Sequence, residues 1–525
     1  MPESTQPYYV TTPIYYVNDE PHLGHMYTTI AADVLARHHR LSGDDVFFLT
    51  GVDEHGQKVQ QAAEKRDIEP IELANQVVQR YETLWPELSI SHDDFIRTSS
   101  DRHKKGVHAM WKRLLDNGSI YKGFYEDWYC VPCETYWTET QLKDATHPEK
   151  ENCLEAEICP DCKRSVEKIQ EESYFFKLSE YQDKIIAYIN DNPDFIAPVS
   201  RKNEVLRFVE GGLRDLSISR TTFSWGVPVP DDEGHVIYVW IDALSNYLSA
   251  LGFPEDTEKM KYWPADVHLI GKDILRFHAV YWPAMLMAAE LPLPKRVFAH
   301  GWWTVEGEKM SKSKGNALRP ADLLAQYESD TLRYFLLREV PFGADGDFSH
   351  DALKIRYNSE LANDVGNLLN RSLSMLQKYR DGTLPAVVEE QSEDRALIAD
   401  IEGMQREVDV HLNNQAFHLA IERISQVVRH GNRYVAENAP WTLAKGGNDA
   451  RLDTVLYHLV EALRLIAVQL SPIMPVKMQQ MLSQILNDEH VSIEALRLHD
   501  VAGWGLLKAG HQCQKPRPVF PRMDS

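Results

Sequence analysis

The sequence of 525 residues has no long apolar run. A membrane-spanning helix needs about 20 consecutive apolar residues, and the most apolar stretch, residues 277–291, is shorter and is interrupted by Pro283. The first residues also lack the basic and apolar segments of a secretory signal peptide. We therefore expect a protein that stays in the cytoplasm and does not associate with a membrane.

Cysteine is scarce, and its distribution is informative. The chain has six cysteines, and all of them except Cys513 lie between Cys130 and Cys162. A disulfide framework spreads its cysteines over a small secreted chain, whereas a short cluster of this kind is typical of a local metal site. We therefore do not expect structural disulfides.

Basic residues are also in short supply. The 56 Lys and Arg against 78 Asp and Glu give a formal net charge of −22. Because binding to a nucleic-acid backbone needs Lys and Arg, this balance argues against a non-specific binder of polyanions. The deficit is uneven, however: residues 1–350 carry −19 and residues 351–525 only −3. The last third of the chain is therefore nearly neutral.

What the sequence does contain is the composition of a globular protein, with 43% hydrophobic and 10% aromatic residues. Its length predicts three or four domains of roughly 100–200 residues each. Strands that alternate with helices predict a parallel α/β sheet, with functional groups at the carboxyl ends of the strands. The predicted strands are residues 8–17, 45–50, 236–241, 266–270 and 296–300, and the predicted helices are residues 24–41, 70–84 and 101–117.

Two parts of the chain depart from this pattern. From about residue 118 to residue 225, turns rich in Cys, Tyr and Trp precede acidic helices, which is typical of an insertion. After about residue 351 only long amphipathic segments remain, and their short Pro and Gly breaks predict an antiparallel helical bundle. The amphipathic segments are residues 360–379, 395–412, 416–436, 454–470 and 476–485.

The first chemical motif is His-Leu-Gly-His at residues 22–25, where a predicted strand gives way to a predicted helix. The amino end of a helix offers unpaired N–H groups and a positive dipole end, which suit a phosphate. Gly24 permits close approach of a ligand, and His22 and His25 can donate hydrogen bonds to phosphoryl oxygens. On its own the motif is equally compatible with a turn that carries incidental surface histidines.

The second motif is a lysine-rich loop at residues 309–316, after the strand predicted at 296–300. Lys309 and Lys312 are cations on flexible stems that suit a pyrophosphate leaving group, and Gly315 gives the loop freedom to close. Alone it could be a solvated basic loop. Both motifs in this order, each after a predicted strand, make the two bland interpretations together improbable.

This pair of motifs resembles the signature of the class I aminoacyl-tRNA synthetases, and the more detailed similarity is to the methionyl-tRNA synthetase family. The segments that carry it are residues 9–25, 47–56, 270–274 and 309–316. The resemblance implies that the methionine carboxylate attacks the α-phosphorus of ATP, giving methionyl-adenylate and pyrophosphate, and that the acyl group then passes to the terminal adenosine of tRNA(Met). Such a transfer needs positioning and charge neutralisation by His, Lys and Mg²⁺ more than it needs a protein nucleophile.

The resemblance also implies roles for particular residues and domains. His22, His25, Lys309 and Lys312 would be catalytic, and the ATP-binding residues would be Gly24, Gly271, Asp273, His300, Gly301 and Lys312. The implied domains are residues 1–117 and 226–322 for the two halves of a Rossmann-type catalytic domain, 118–225 for a connective insertion, 323–360 for a linking segment that contacts the tRNA stem, and 361–525 for an α-helical anticodon-binding domain with its tail.

A methionine pocket should be apolar and aromatic, with one anion for the α-ammonium group. A thioether gains about 0.3–1.5 kcal/mol against an aromatic ring, and a tight apolar slot rejects shorter side chains modestly. By resemblance, Asp53 is the ammonium partner. Without the resemblance, the aromatic residues would be assigned to ordinary core packing. The implied slot consists of Ile14, Tyr16, Trp240, Leu244, Tyr247, Ile274, Phe277, His278 and Trp282.

The cysteine cluster contains two Cys-x-x-Cys pairs separated by a long gap. Four thiolates from two such turns can converge tetrahedrally on Zn²⁺, and a site of this kind is structural because it has no open position. Cys153 or His147 could replace a ligand, and a reduced thiol cluster without metal is the alternative. The expected ligands are Cys130, Cys133, Cys159 and Cys162.

The helical last third resembles the anticodon-binding bundle of the family. Asn367, Arg371 and Trp441 match the positions that read the CAU anticodon there, and stacking plus edge hydrogen bonds is the usual way to read unpaired bases. Each of them could instead be an ordinary helix residue. Many family members continue into a C-terminal barrel that dimerises, whereas this sequence ends soon after the bundle, so we expect a monomer.

Two other functions stay open at this point. A cysteine-activating class I synthetase would use Zn²⁺ to select a thiolate, but the cysteines here fall in the insertion and the aromatic slot has no use for a thiol. A catalytically silent tRNA-binding relative would not need to keep His22, His25, Lys312 and Asp53. Methionine activation therefore remains the leading hypothesis.

Overall fold

The structure is a computed structural model that describes residues 5–17, 20–133, 135–137, 142, 158–161, 163–255, 258–305, 308–309 and 318–524. Its centre is a six-stranded parallel sheet. The strands of this sheet are β1 (Pro7–Tyr16), β2 (Asp45–Asp53), β3 (Asp94–Arg97), β7 (Ile196–Ala197), β12 (Val267–Gly271) and β13 (Val297–His300). Their order across the sheet is β3-β2-β1-β12-β13-β7.

Helices cover both faces of this sheet, which explains the almost continuous apolar runs of its central strands. From Val46 to Asp53 every residue of β2 is buried. A strand with one wet face would alternate instead, because successive side chains point to opposite faces. The helices of this part are α1 (Leu23–Ser42), α2 (Gln57–Glu64), α3 (Pro70–Glu87), α4 (Asp101–Asp116), α5 (Gln182–Asp191), α6 (Val199–Glu210), α7 (Val239–Leu244), α8 (Asn246–Ser249), α9 (Trp282–Ala288), α10 (Pro320–Leu324) and α11 (Ser329–Glu339).

The three smaller sheets lie outside the parallel sheet. In one of them, ten residue pairs join the strands Ile120–Cys130 and Glu167–Phe176, which run antiparallel within the predicted insertion. The strands of the smaller sheets are β4 (Ile120–Cys130), β5 (Thr135–Trp137), β6 (Glu167–Phe176) and β8 (Leu216–Ser217) in the first, β9 (Ser219–Arg220), β10 (Pro228–Val229) and β11 (Asp232–Ile237) in the second, and β14 (Trp303–Val305), β15 (Glu308–Lys309) and β16 (Gly346–Phe348) in the third.

One sequence prediction of this region is wrong. Residues 236–241 do not return the chain to the parallel sheet: β11 pairs antiparallel with β9 and β10, and α7 begins at Val239. A short run of buried apolar residues has no periodicity that separates a strand from a helix, which is why the pattern misled. The sixth strand of the parallel sheet, β7, comes instead from within residues 118–225, the range predicted as the insertion. The predicted domain boundaries stay a prediction.

The predicted helical bundle is confirmed after residue 350. The helix Ser392–Asn413, for example, has one apolar stripe of buried residues at helical spacing: Leu397, Ile401, Met404, Val408 and Leu412. Its elements are α12 (His350–Arg356), a π-helix (Tyr357–Gly366), α13 (Asn367–Arg380), α14 (Ser392–Asn413), α15 (Phe417–Asn438), α16 (Pro440–Gly446), α17 (Asp449–Leu470), α18 (Pro475–Leu486) and α19 (Leu498–Val501).

A buried arginine, Arg333, joins the bundle to the parallel-sheet part of the chain. Arg333 of α11 donates to Asp33 of α1 at 2.7 Å, and both side chains are inaccessible to solvent. The same guanidinium donates to the carbonyl oxygens of Leu88, Pro472 and Ile473. Helix α1, which begins at the His-Leu-Gly-His motif, is thus fixed to the bundle. None of the helices in the described part of the chain has both the length and the apolar composition of a membrane crossing.

Candidate active site

A cleft of about 750 Å³ opens at the carboxyl ends of β1, β2, β12 and β13. This is where a parallel sheet places its ligands, because the loops that follow the strands converge there. Most of the predicted substrate residues come together in it. The predicted residues that line the cleft are Ile14, Tyr16, His22, Gly24, His25, Asp53, Trp240, Leu244, Tyr247, Gly271, Asp273, Ile274, His278, His300 and Gly301.

Helix α1 begins at the floor of the cleft. Its N-cap is His22, whose Nδ1 accepts a hydrogen bond from the Gly24 backbone N–H at 3.1 Å. A Cβ on residue 24 would lie 2.9 Å from the His22 ring, so a larger residue there would require this ring to move. The rings of His22 and His25 stack with centroids 3.6 Å apart. Both imidazoles are therefore held beside the amino end of the helix, which favours an anion.

The protonation of these two histidines follows from their surroundings. Desolvation within the cleft lowers the pKa of His22, and it lowers the pKa of His25 well below the usual value. Both rings are therefore neutral at pH 7. Because Nδ1 of His22 accepts the Gly24 N–H, its neutral ring carries the proton on Nε2, where it can be donated to a ligand. Nδ1 of His25 lies 3.0 Å from the hydroxyl of Tyr81 on α3.

On the opposite wall, His300 ends β13. Its Nδ1 donates to the carbonyl oxygen of Gly301 at 2.7 Å, and burial lowers its pKa, so the ring is neutral and Nε2 is an acceptor. The Thr28 hydroxyl of α1 lies 2.6 Å from this Nε2. Gly301 has no room for a side chain, because a Cβ there would lie 2.2 Å from the carbonyl oxygen of Ala344. These contacts fix the two walls relative to one another.

An indole stands at the rim of the cleft next to these residues. The Trp302 backbone N–H donates to Asp345 at 2.8 Å, and its ring N–H donates to Asp273 at 3.2 Å. Lys272 pairs with Asp345 at 2.6 Å and lies 4.3 Å from the centroid of the Trp302 ring. Sequence reasoning missed Thr28, Tyr81 and Trp302. Thr28 and Tyr81 belong to no motif in the sequence, whereas Trp302 directly follows the predicted site residue Gly301.

The predicted methionine slot is lined by aromatic rings. Trp240 and Phe277 stack with centroids 3.7 Å apart and planes 7° apart. Phe277 does not itself line the cleft, and Trp282, which is fully buried, lies behind Tyr247 with ring centroids 6.1 Å apart. Phe277 and His278 lie in a π-helical turn, Phe277–Tyr281, a local irregularity that is frequent at functional sites.

A hydrogen-bonded pair lies at the base of this slot. Nδ1 of His278 donates to the carbonyl oxygen of Ile274 at 3.0 Å, so Nε2 accepts from the Tyr247 hydroxyl at 2.7 Å. Burial lowers the pKa of His278 to about 4, which keeps the ring neutral at pH 7. Asp53, at the end of β2, is only 2% exposed and is the anion in the lining of the slot. The slot thus combines an apolar wall with one carboxylate.

The lysine-rich loop is described only at its start. Strand β15 pairs with β14, with Lys309 opposite Thr304. The side chain of Lys309 and the whole of Lys312 lie outside the described residues. Their predicted roles in catalysis stay predictions, as do those of the residues that line the cleft.

The cysteine cluster lies in the insertion. The sulfur atoms of Cys130, Cys133 and Cys159 all lie within 4.8 Å of one another, and those of Cys133 and Cys159 are 3.7 Å apart. Backbone hydrogen bonds at 2.8 and 3.0 Å close a tight turn after Cys159. The expected fourth ligand, Cys162, and the alternatives Cys153 and His147 lie outside the described residues. Three thiol groups at this spacing could hold a metal ion.

The predicted anticodon residues lie together on the surface of the bundle. Asn367 and Arg371 are one turn apart on α13, and the guanidinium carbon of Arg371 is 6.0 Å from the ring centroid of Trp441. Trp441 is the second residue of the short helix α16, directly after Pro440, and is 47% exposed. A cation beside an exposed indole suits a stacked base, because every base has a π-face.

Comparison with known proteins identifies the family. A family model described as tRNA synthetases class I (M) matches residues 8–373, and one described as the anticodon binding domain of methionyl tRNA ligase matches residues 384–525. A methionine–tRNA ligase of Caldanaerobacter subterraneus is 49% identical over 98% of this chain and 79% of its own length. One from Rickettsia bellii is 47% identical over 98% of this chain and 99% of its own. The chain belongs to the methionyl-tRNA synthetase family.

Solved structures of this family agree over the whole chain. The methionyl-tRNA synthetase of Mycobacterium tuberculosis in complex with methionyl-adenylate is 44% identical, covers 99% of this chain and 100% of its own, and superimposes with a TM-score of 0.92. The apo form of the synthetase from the same organism gives a TM-score of 0.85 at 40% identity over both full chains. The family resemblance and the fold class predicted from the sequence are therefore confirmed.

Proposed function

We propose that this chain is a methionine–tRNA ligase that activates methionine with ATP and transfers the methionyl group to the 3′ adenosine of tRNA(Met). The observation that carries the proposal is the convergence, in one cleft, of a helix amino end with two histidines and of an aromatic slot with one buried carboxylate. The first suits a triphosphate, and the second suits an amino acid with an apolar side chain. Family membership supports the same function.

In the first step, the chain positions two reactants. Asp53 accepts hydrogen bonds from the α-ammonium group of methionine, and the rings of Trp240 and Tyr247 contact its thioether side chain. The carboxylate then attacks the α-phosphorus of ATP, the α–β phosphoanhydride bond breaks, and pyrophosphate leaves. Much of the rate enhancement in such a reaction comes from holding the reacting atoms in line.

The phosphates are held by the amino end of α1 and by the lysine-rich loop. Nε2–H groups of His22 and His25 donate to phosphoryl oxygens, and Lys309 and Lys312 neutralise the charge of the leaving pyrophosphate. Gly24, Gly271, Asp273, His300 and Gly301 contact the nucleotide. Mg²⁺ accompanies ATP and adds charge neutralisation when it is bound.

In the second step, tRNA(Met) binds across both parts of the chain. Asn367, Arg371 and Trp441 contact the anticodon, while the terminal adenosine enters the cleft. Its hydroxyl attacks the carbonyl carbon of methionyl-adenylate, the new ester forms, and AMP leaves. Stacking on Trp441 and hydrogen bonds to base edges are sufficient to read unpaired bases.

The cysteine cluster suits a structural zinc ion. Soft thiolates are preferred ligands of Zn²⁺, and four of them leave no open position for chemistry. Cys130, Cys133 and Cys159 would hold the ion together with Cys162, and it would stabilise the insertion. Reduced thiolates of this kind fit the cytoplasm better than an oxidising compartment.

Metal analysis of the purified chain tests this part. We expect one zinc ion per chain, and we expect Cys159→Ser to lose it. Cys513→Ser is the matched control, since Cys513 is also buried but lies far from the cluster in the fold. A chain that holds no zinc when purified without chelators would contradict the assignment.

Amino-acid-dependent exchange between ATP and labelled pyrophosphate, measured separately with each of the twenty amino acids, tests the whole proposal. Exchange should depend on methionine. Exchange with cysteine instead would favour a cysteine-activating enzyme, and no exchange with any amino acid would indicate a catalytically silent relative.

A further inference from the structure

A buried cluster of titratable side chains lies just outside the cleft. Nδ1 of His55 is 2.6 Å from one carboxylate oxygen of Asp242, and Nε2 of His103 is 2.7 Å from the other. Nδ1 of His103 is in turn 2.8 Å from the Ser249 hydroxyl. None of these four residues is more than 2% exposed. The proposed mechanism gives none of them a role.

The hydrogen bonds of the cluster can be assigned. A carboxylate has only acceptors, so both imidazoles donate to Asp242, and Nδ1 of His103 lies within hydrogen-bond distance of the Ser249 hydroxyl. Burial alone would raise the pKa of Asp242, but the two imidazoles outweigh it and bring the pKa to about 2. The carboxylate is therefore ionised at pH 7, and its charge is stabilised through two donors.

These donors and acceptors come from the elements that form the methionine slot. His55 follows Asp53 by two residues, and Asp242 lies on α7 between Trp240 and Leu244. Ser249 ends α8, the helix of Tyr247. The fourth residue, His103, comes from α4, whose own residues do not line the cleft. The carboxylate thus bridges the loop that holds the anion of the slot and the helix that holds its aromatic wall.

Helix α4 supports this bridge from behind. It packs so closely against α8 that a Cβ on Gly106 would lie 2.5 Å from the Cβ of Ser249. His103 is one turn before Gly106 on the same helix. Helix α4 therefore fixes one carboxylate oxygen of Asp242 through His103, and the other oxygen binds His55.

We propose that Asp242 is a positioning residue for the amino acid: by binding His55 and His103 at once, it holds the Asp53 carboxylate at a fixed distance from the wall formed by Trp240 and Leu244. The ammonium group and the side chain of methionine must be bound at the same time, so this distance sets the affinity for methionine. The affinity for ATP depends on other elements. The inference rests on the proposed methionine activation.

The bundle offers a matched control. Asp394 is likewise fully buried, and its carboxylate accepts hydrogen bonds from Arg451 and Tyr434. Its removal disturbs a buried charge network of the same kind at a place that no residue of the cleft shares. A loss of stability should therefore be common to Asp242→Asn and Asp394→Asn, whereas an effect on methionine should belong to Asp242→Asn alone.

Methionine-dependent pyrophosphate exchange by the whole chain tests the proposal. We expect Asp242→Asn to raise the KM for methionine about 10- to 100-fold, the range for a displaced binding group, with the KM for ATP unchanged. Asp394→Asn should leave both KM values unchanged. An unchanged KM for methionine in Asp242→Asn, or an equal rise for both substrates, would overturn the proposal.

A second pair of variants carries the test if Asp242→Asn does not fold. Asparagine and leucine are nearly isosteric, and the amide nitrogen of asparagine can replace the Nδ1 donor of histidine. His55→Asn should therefore keep a KM for methionine close to that of the wild type, while His55→Leu should raise it. Equal values in the two variants would contradict the proposal. Absence of methionine-dependent exchange in the wild type would instead contradict the proposed function itself.

Discussion

The cleft and the proposed anticodon surface of the bundle differ in how their residues are held. The cleft combines residues from three separate parts of the chain, and each is at most 2% exposed: Asp53, Tyr247 and His278. On the bundle, Asn367 and Arg371 share one helix, and the neighbouring Trp441 is 47% exposed. The residues of the cleft are held by one another and by the sheet before any ligand arrives. Those of the bundle are held by one helix and one turn, and they face solvent. A rigid, dry site suits the in-line chemistry of a small substrate, and an exposed one suits bases that must stack and leave.

The two regions also differ in net charge. Residues 1–350 carry most of the net charge of −22, and the bundle is nearly neutral. An RNA approaching this chain therefore meets repulsion over most of its surface and depends on local contacts such as Arg371. Binding to tRNA should be selective and sensitive to salt.

The largest expected effect concerns the lysine-rich loop at residues 309–316. Lys312→Ala should lower the rate of methionine adenylation about 100- to 1,000-fold, as the loss of one group that stabilises transition-state charge does, with a much smaller effect on methionine affinity. Single-turnover formation of methionyl-adenylate measures both. Lys314→Ala is the matched control in the same loop, and equal losses in the two variants would show that only the general charge of the loop matters.

The next effect belongs to the buried anion of the slot. Asp53→Asn should lower kcat/KM for methionine about 100-fold, because a charged partner of the ammonium group is replaced by a neutral one in a desolvated site. Pyrophosphate exchange at varied methionine concentration measures it. Asp45→Asn, at the partly exposed start of the same strand, removes a carboxylate that bonds Lys261 and Tyr262 outside the cleft and should keep the wild-type kcat/KM. An Asp53→Asn variant with normal kcat/KM would remove the carboxylate from the site.

A smaller and more selective effect is expected on the bundle. Trp441→Ala should lower charging of tRNA(Met) about 10- to 50-fold, within the range of a lost stacking contact, and should leave pyrophosphate exchange unchanged. Trp441→Phe should retain most of the charging, since it keeps an aromatic face. If pyrophosphate exchange falls together with charging, the cleft and the bundle do not act separately.

The smallest expected effect is a pH dependence of the free energy of unfolding, which arises because His278 is buried. The pKa of His278 is lowered to about 4 by burial, so the unfolded chain takes up a proton near pH 6.5 while the folded chain does not. Uptake of this proton by the unfolded chain alone lowers the free energy of unfolding as the pH falls through about 6.5, whereas well above that pH the histidine has no such effect. Between pH 7 and pH 6 the free energy of unfolding falls by about 0.7 kcal/mol for this reason.

His278→Gln cannot take up this proton, so its free energy of unfolding should fall by about 0.7 kcal/mol less over the same interval. Denaturant titrations at the two pH values measure the difference. His499→Gln, at an exposed position on α19, is the control and should keep the pH dependence of the wild type. Identical pH dependence in His278→Gln and the wild type would show that His278 is not held neutral.

Much of this arrangement could be predicted from the sequence. The His-Leu-Gly-His motif, the strand ends and the amphipathic segments carry local patterns, and the structure has a helix that begins at Leu23 with His22 as its N-cap and a helical bundle after residue 350. The run at 236–241 was misassigned because burial on all sides erases periodicity. Some contacts cannot be predicted from a local pattern because the residues are far apart in the sequence. Thr28 and His300 are 272 positions apart, and His55 and Asp242 are 187 positions apart.

The central claim is that the cleft activates methionine while the bundle selects the tRNA, and charging of paired tRNA transcripts tests it most directly. Wild-type chain should be given methionine, ATP and tRNA(Met) carrying either its CAU anticodon or a changed one, with pyrophosphate exchange measured in parallel. The account predicts a large fall in methionylation of the changed tRNA, with no change in exchange. Equal methionylation of the two transcripts would contradict it.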